Sequence, residues 1–373
     1  MFPLSKGRVS KQAHVGLPEG TYEEEHGREA FDGRASHLYR THLPTAWVRI
    51  DGPLSPHAYD LNGLKPSDMT EAGGEWLRIL HNDDVSLYVS RRSEPMPWFL
   101  RDSDGDLCYF VHHGTGVLET DYGPLRYRDG DFLVLPKGTT HRVVPSGEGS
   151  ETFLYCVEGR GEYALPEKGI LGRHAIFDPG VLETPEPEPH DEQGEFQVRV
   201  KRSDEYTTLT YPFHPLDVVG WQGDLCPIRL NVEDIRPVVS PRYHLPPSVH
   251  VTFKSRGFEI GTFAPRPTET GDPTALRVPF FHSNIDKDEV LFYHRGQFFS
   301  RAGIGEGFIT HHPQGLHHGP QPAALEAGKT KEFADEYAIM VEADLPFERD
   351  DALAQVEIEG YSTSWARGLG LID

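Results

Sequence analysis

Short apolar runs broken by turn-forming residues set the rhythm of this chain. Residues 85–90 (VSLYVS), 108–112 (CYFVH), 116–120 (GVLET), 132–136 (FLVLP) and 153–157 (FLYCV) have strand length and are bounded by Gly, Asp, Asn or Pro. Such punctuation favours strands joined by tight turns over long helices. The same texture returns at 196–200, 229–230, 249–253, 258–263, 290–293, 308–310 and 338–342. Helical signal is confined to pieces as short as 353–356. The pattern predicts an all-β protein.

Two tracts stand outside this rhythm. Residues 1–45 are polar and, from Gly20 to Asp32, acidic; they read as an arm that wraps a folded body or as a partly disordered lead-in. Residues 184–195 (TPEPEPHDEQGE) alternate Pro and Glu, a composition that packs no core and reads as an exposed connection. The expected organisation is an arm over 1–45, a first β module with its linker over 46–195, and a second β module over 196–373.

Composition narrows the function. The chain has 373 residues, 36 basic against 58 acidic, for a net charge of −22. Nucleic acid and anionic membranes need a basic footprint, so neither is an expected partner. An anionic substrate would have to be attracted by the site itself. No apolar run approaches the roughly 20 residues of a membrane span. Cys108, Cys156 and Cys226 are too few and too scattered for a disulfide framework. A soluble, cytoplasmic protein is expected.

The two modules share a repeat. Gly130, Pro136, Gly138 and His141 read G-x5-P-x-G-x2-H, and Gly307, Pro313, Gly315 and His318 read the same formula. This resembles the second motif of the cupin barrel, so the chain resembles a bicupin: two jelly-roll modules of cupin type with few short helices. The first cupin motif is matched in the second module by His282, Asn284, Glu289 and Gly296, with Asn284 where a second histidine is usual. His282, Glu289 and His318, on neighbouring inward-facing strands, would present two imidazoles and one carboxylate to one face of a cation. That is the facial triad of non-haem Fe(II) oxygenases. In the first module Leu100, Asp102 and Leu107 stand at the corresponding positions. Only His141 survives there, and no metal is expected.

Around the triad the chain resembles the homogentisate 1,2-dioxygenase family. The resemblance rests on His282 to Gly296, on His318-Gly319-Pro320, on His312 six residues earlier, on His244 to Phe253 (HLPPSVHVTF) and on Trp221 to Asp224 (WQGD). It is close over about Leu216 to Pro322 and holds only in outline before that. It implies Fe(II) held by His282, Glu289 and His318, a small aromatic substrate, O2, and a trimeric or hexameric homo-oligomer. It makes His244 the acid/base and places His312 at the substrate. The implied reaction is extradiol-type cleavage of homogentisate or a related hydroquinone, as in tyrosine degradation. One departure bears on the substrate: Phe298 stands where the family has a tyrosine that hydrogen-bonds the carboxymethyl arm. Two other readings stay open, an isomerase-like cupin with Zn or Mn in the same triad and a non-catalytic cupin that binds a small molecule.

Overall fold

The computed structural model describes residues 4–146, 151–277 and 279–373. Its central layer is a seven-stranded sheet ordered Ile228–Asn231, Asp131–Leu135, Asp106–His113, Thr152–Gly159, Val85–Arg92, Leu77–His81, Glu348–Arg349. Both faces of this sheet are covered, which is why its middle strands are apolar almost continuously rather than in alternation. Side chains still sort by period two along each strand. Leu107, Tyr109 and Val111 enter one core, whereas Cys108 and Phe110 enter another.

The first core lies against a six-stranded sheet that includes Phe99–Asp102, Thr140–Pro145 and Gly116–Thr120. The second lies against another six-stranded sheet, ordered Val251–Ser255, Phe258–Phe263, Glu336–Ala343, Asp288–Gly296, Phe308–His312, His57–Asp60. Opposite that sheet stands a three-stranded one of Phe281–Asn284, Tyr22–Gly27 and Ala35–Arg40. The chain is therefore all-β, with two cupin-type modules packed back to back. Among the described residues α-helix is limited to Pro322–Gly328 and Ser364–Gly368, and residues 353–356 fall in a 3-10 turn, Asp351–Val356.

The arm is a structural part of the second module. Its strands Tyr22–Gly27 and Ala35–Arg40 pair with each other, and the first runs parallel to Phe281–Asn284 with Glu25 beside His282. Sheet membership crosses the boundaries drawn from sequence. His57–Asp60 pairs with Phe308–His312, Ile228–Asn231 pairs with Asp131–Leu135, and Gln193–Arg202 runs across residue 195 to join Phe99–Asp102. The strand read at 249–253 starts at Val251, because Pro247–His250 forms a 3-10 turn with proline in its first position. The Pro-Glu tract is exposed apart from buried Pro185 and half-buried His190.

The repeated motif is a repeated turn. Gly130 and Gly307 have φ of 82° and 78°, and Gly138 and Gly315 have 88° and 90°, conformations that favour glycine. Gly130 N–H donates to Val111 O and Gly307 N–H to Tyr293 O, both at 2.8 Å. The strands paired with the two copies, Asp106–His113 and Asp288–Gly296, meet where the modules pack. Phe110 and Phe292 have ring centroids 6.0 Å apart, and the Nδ1 atoms of buried His112 and His294 are 3.0 Å apart.

Burial pushes His112 down to about 2 and His294 down to about 3. Both rings stay neutral in the folded protein but take up protons below about 6.5 when unfolded. Their contribution to stability is therefore complete above that pH and is lost as pH falls towards the folded values. Urea unfolding at pH 7 and pH 5 should show a loss on the order of 1–2 kcal/mol for each of the two histidines. Equal stability at both values would show that the pair takes up protons in the folded protein as it does in the unfolded chain.

Candidate metal centre

The site lies between the Asp288–Gly296 sheet and the three-stranded sheet that faces it. In Asp288–Gly296, Val290 and Phe292 point into the core between modules, so alternation turns Glu289 the other way, into the second module. His282 comes from the opposite wall. Its backbone exchanges two 2.9 Å hydrogen bonds with His318, N–H to O in both directions, which sets the two imidazoles side by side at 4.0 Å between centroids. Gly319 follows because a Cβ there would lie 2.4 Å from the Phe281 ring. His282, Glu289 and His318 are all buried, and each offers one donor atom within 4.8 Å of the others.

The hydrogen bonds leave this set open in the middle. His282 Nδ1–H donates to Phe280 O at 3.0 Å, a carbonyl that can only accept, so Nε2 carries the lone pair. His282 Nε2 and His318 Nε2 are buried with no hydrogen-bond partner, and His318 Nε2 is 3.6 Å from Glu289 Oε2. Buried polar atoms without partners are rare and call for a missing group. Two bare imidazole nitrogens around a carboxylate oxygen suit a divalent transition metal. The residues fit that group.

His312 sits at this set in a particular way. Its Nδ1–H donates to Glu289 Oε1 at 2.7 Å, and its Nε2 accepts from the Tyr361 hydroxyl at 2.9 Å. It stacks on His318 with centroids 4.6 Å apart. Burial, opposed by the Glu289 hydrogen bond, takes it down to about 3, so the ring is neutral. Burial alone would raise the Glu289 carboxyl, but His318 and the His312 hydrogen bond hold it well below its ordinary value. His312 is thus the residue that fixes the carboxylate.

His244 lies one ring away. Its Nδ1 is 2.8 Å from Glu269 Oε1, and its ring meets the edge of Phe280, which also borders His282. Among the described residues no hydrogen bond joins it to the triad. Phe298 packs into an apolar cluster with Tyr293 and Ala338, its ring 4.9 Å from that of Tyr293. Asn284 lies two residues beyond His282 on the same strand, buried, with Oδ1 unpartnered.

Sequence reasoning missed Tyr361 and Arg301. Tyr361 follows His318 by dozens of residues in a 3-10 turn with no motif around it. Arg301 looks like any loop arginine in sequence, yet it is buried, with Nη1 on the Gly319 carbonyl at 2.9 Å and Nε unpartnered. Its charge acts on His282 and His312. The first module shows the contrasting case. Leu100 pairs with His141 as His282 pairs with His318, but both nitrogens of His141 are satisfied, by Tyr109 OH at 2.9 Å and Thr139 O at 3.1 Å.

A family model described as homogentisate 1,2-dioxygenase N-terminal matches residues 73–232. A protein of Saccharolobus solfataricus, provisionally named a dioxygenase, is 31% identical over 386 residues, covering 98% of this chain and 99% of its own. The chain belongs to the homogentisate 1,2-dioxygenase family. The homogentisate 1,2-dioxygenase of Sinorhizobium fredii is 25% identical over 349 residues, 89% of this chain and 76% of that one. That of Rhizobium etli strain CIAT 652 is 26% identical over 302 residues, 78% and 65% respectively. The family likeness thus reaches well into the first module, farther than the motifs at 216–322 alone suggest. Among the described residues no helix is long and apolar enough to cross a membrane.

The His312 contacts carry a direct test. Partners that orient a ligand typically change metal affinity about 10- to 100-fold when removed. His312→Ala should weaken Mn(II) affinity by that factor, measured by calorimetry, with unchanged circular dichroism. Tyr361→Phe should produce a smaller loss in the same direction. Wild-type affinity in His312→Ala would mean that Glu289 needs no donor to hold its position.

Proposed function

We propose that this protein is a Fe(II)-dependent, ring-cleaving dioxygenase that acts on homogentisate or a related hydroquinone and incorporates both atoms of O2. The observation that carries the reading is the buried His282–Glu289–His318 set, with two imidazole nitrogens lacking partners, in a chain of this family. His282, Glu289 and His318 would hold the metal. Bound there, Fe(II) would supply the route by which ring electrons reach O2.

The remaining roles belong to side chains. Glu269 accepts from His244 Nδ1–H, which leaves His244 Nε2 free to take a phenolic proton and return it later. His312, neutral and held between Tyr361 and Glu289, steadies the ligand set, its one ring proton already committed to Glu289. It acts on the substrate's surroundings through Glu289 and Tyr361. Phe298 gives that part of the wall an apolar face, and the missing hydroxyl costs a substrate carboxylate one hydrogen bond, worth about 1 kcal/mol. Arg301 compensates. A buried guanidinium with an unpartnered Nε favours a substrate that brings a negative charge, despite the acidic exterior.

Loading the metal-free protein with Fe(II) without oxygen, then adding O2 with homogentisate, gentisate or hydroquinone, tests the reaction. Uptake of one O2 per ring cleaved is expected with homogentisate and weaker uptake with hydroquinone, which lacks the carboxylate. No uptake with any of the three at full iron occupancy would overturn the proposal in favour of another metal-dependent cupin. Glu289→Gln should retain the fold and lose bound iron; normal iron content in that variant would show that the ligand set is misassigned.

A further inference from the structure

The arm carries a second group of side chains whose donor atoms could hold a metal ion. His14, Glu25 and His37 place one donor atom each within 4.8 Å of one another, with His14 and Glu25 buried and His37 partly exposed. Glu25 and His37 are cross-strand partners in the arm hairpin, and His37 Nε2 is 3.0 Å from Glu25 Oε2. His14 reaches the same carboxylate oxygen from outside the hairpin, its Nε2 at 4.0 Å. Ligands about 2.0–2.1 Å from a tetrahedral Zn2+ lie roughly 3.3 Å from each other, so separations of 3.0 and 4.0 Å need only small adjustment.

Two further observations point to a cation. The first is the bracing of His14. Its Nδ1–H donates to Glu23 Oε2 at 2.7 Å, its backbone N–H donates to the same oxygen at 2.8 Å, and Tyr39 OH donates to Glu23 Oε1 at 2.9 Å. A carboxylate on one nitrogen, leaving the other turned towards further donors, is the arrangement that orients metal-binding histidines. The second is the backbone. His14 is held at φ 66°, a conformation uncommon for a residue with a side chain, and such outliers gather at ligand sites. By contrast, the carboxylates of Asp102, Asp104 and Glu158 already enclose an ammonium group, Lys201 Nζ, 2.9–3.0 Å from Glu158 and Asp104. Among the described residues no Lys or Arg side chain closes the His14 set; Glu25 pairs only with the imidazoles of the set itself.

We propose that His14, Glu25 and His37 bind a divalent transition cation, Zn2+ being the best match, in a site separate from the His282–Glu289–His318 set. Its effect is to latch the arm. The cation ties residue 14 to both arm strands, and the ring of His14 stacks on Phe280 at 4.0 Å, next to His282. Because Glu25 is the register partner of His282, the latch clamps the strand that carries a ligand of the first set. Partly exposed His37 gives the cation its way in.

The test counts zinc. Protein stripped of metal is equilibrated with Zn2+, and bound metal is measured by mass spectrometry in wild type, Glu25→Gln, His37→Asn, Glu289→Gln and Glu25→Gln/Glu289→Gln. Glu25→Gln and His37→Asn should each lose one equivalent relative to wild type. Glu289→Gln should keep that equivalent, and the double variant should lack it, so failure of the catalytic reading leaves this result untouched. In the Glu289→Gln background, Zn2+ should slow amide exchange across residues 22–40 at least tenfold, and adding Glu25→Gln should abolish the slowing. Unchanged zinc content in both Glu25→Gln and His37→Asn, or exchange insensitive to zinc in Glu289→Gln, would overturn the proposal.

Discussion

A carboxylate cannot be ionised inside a protein unless something answers its charge, and Glu289 is where this fold meets that demand. Along the ladder, Glu289, Glu342 and Glu259 occupy one register line on three adjacent strands, all buried. Burial and the neighbouring Glu289 and Glu259 push Glu342 well above the carboxylate range, so it stays neutral. Glu289 goes the other way, because His318 and His312 face it. Yet His312 is neutral and can offer only a hydrogen bond. Arg301 acts on Glu289 but gives its Nη1 hydrogen bonds to backbone carbonyls. A divalent cation at the open nitrogens of His282 and His318, as in the proposed function, would complete the balance. The geometry of the second module follows from keeping those three groups convergent.

The two modules show how a shared turn can be kept while the partners of its histidine change. Asp106 and Asp288 do the same job. Asp106 accepts from the Lys137 and Tyr163 amides at 2.8 and 2.9 Å, and Asp288 from the Gln314 and Phe347 amides at the same distances. Each pins the turn that carries the motif histidine. One residue further along, Leu107 packs a core, whereas Glu289 faces His282 and His318. With no carboxylate and no second imidazole, His141 would leave a bare nitrogen in an apolar interior, and Tyr109 closes it. The exchange of polar for apolar partners is self-consistent in both copies.

Much of this was legible in sequence, for identifiable reasons. The glycines of the repeated motif announce a backbone conformation, and the structure has it at Gly130, Gly138, Gly307 and Gly315. The strand runs were legible because both faces of the central sheet are covered, so apolar residues come in blocks. The arm was not. Its inward face carries Glu23, Glu25 and His37, and side chains that look like a solvated tract are buried against His14 and Tyr39. Pairing of His57–Asp60 with Phe308–His312 was equally hidden, because long-range strand exchange leaves no local signal.

The site divides along the same line. His282, Glu289 and His318 could be read because a small barrel fixes the spacing between inward positions on successive strands. His312 could be found by spacing too, but spacing does not say what a side chain touches. Its Nδ1 is committed to Glu289 and its Nε2 to Tyr361, contacts that only the three-dimensional arrangement shows. Tyr361 belongs to neither cupin motif; it arrives from the C-terminal turn that packs Trp365 against Gly319. The chemistry assigned to this barrel therefore depends on parts outside the barrel, on the C-terminal turn for the hydrogen bond behind Glu289 and on the arm for the wall beside His282.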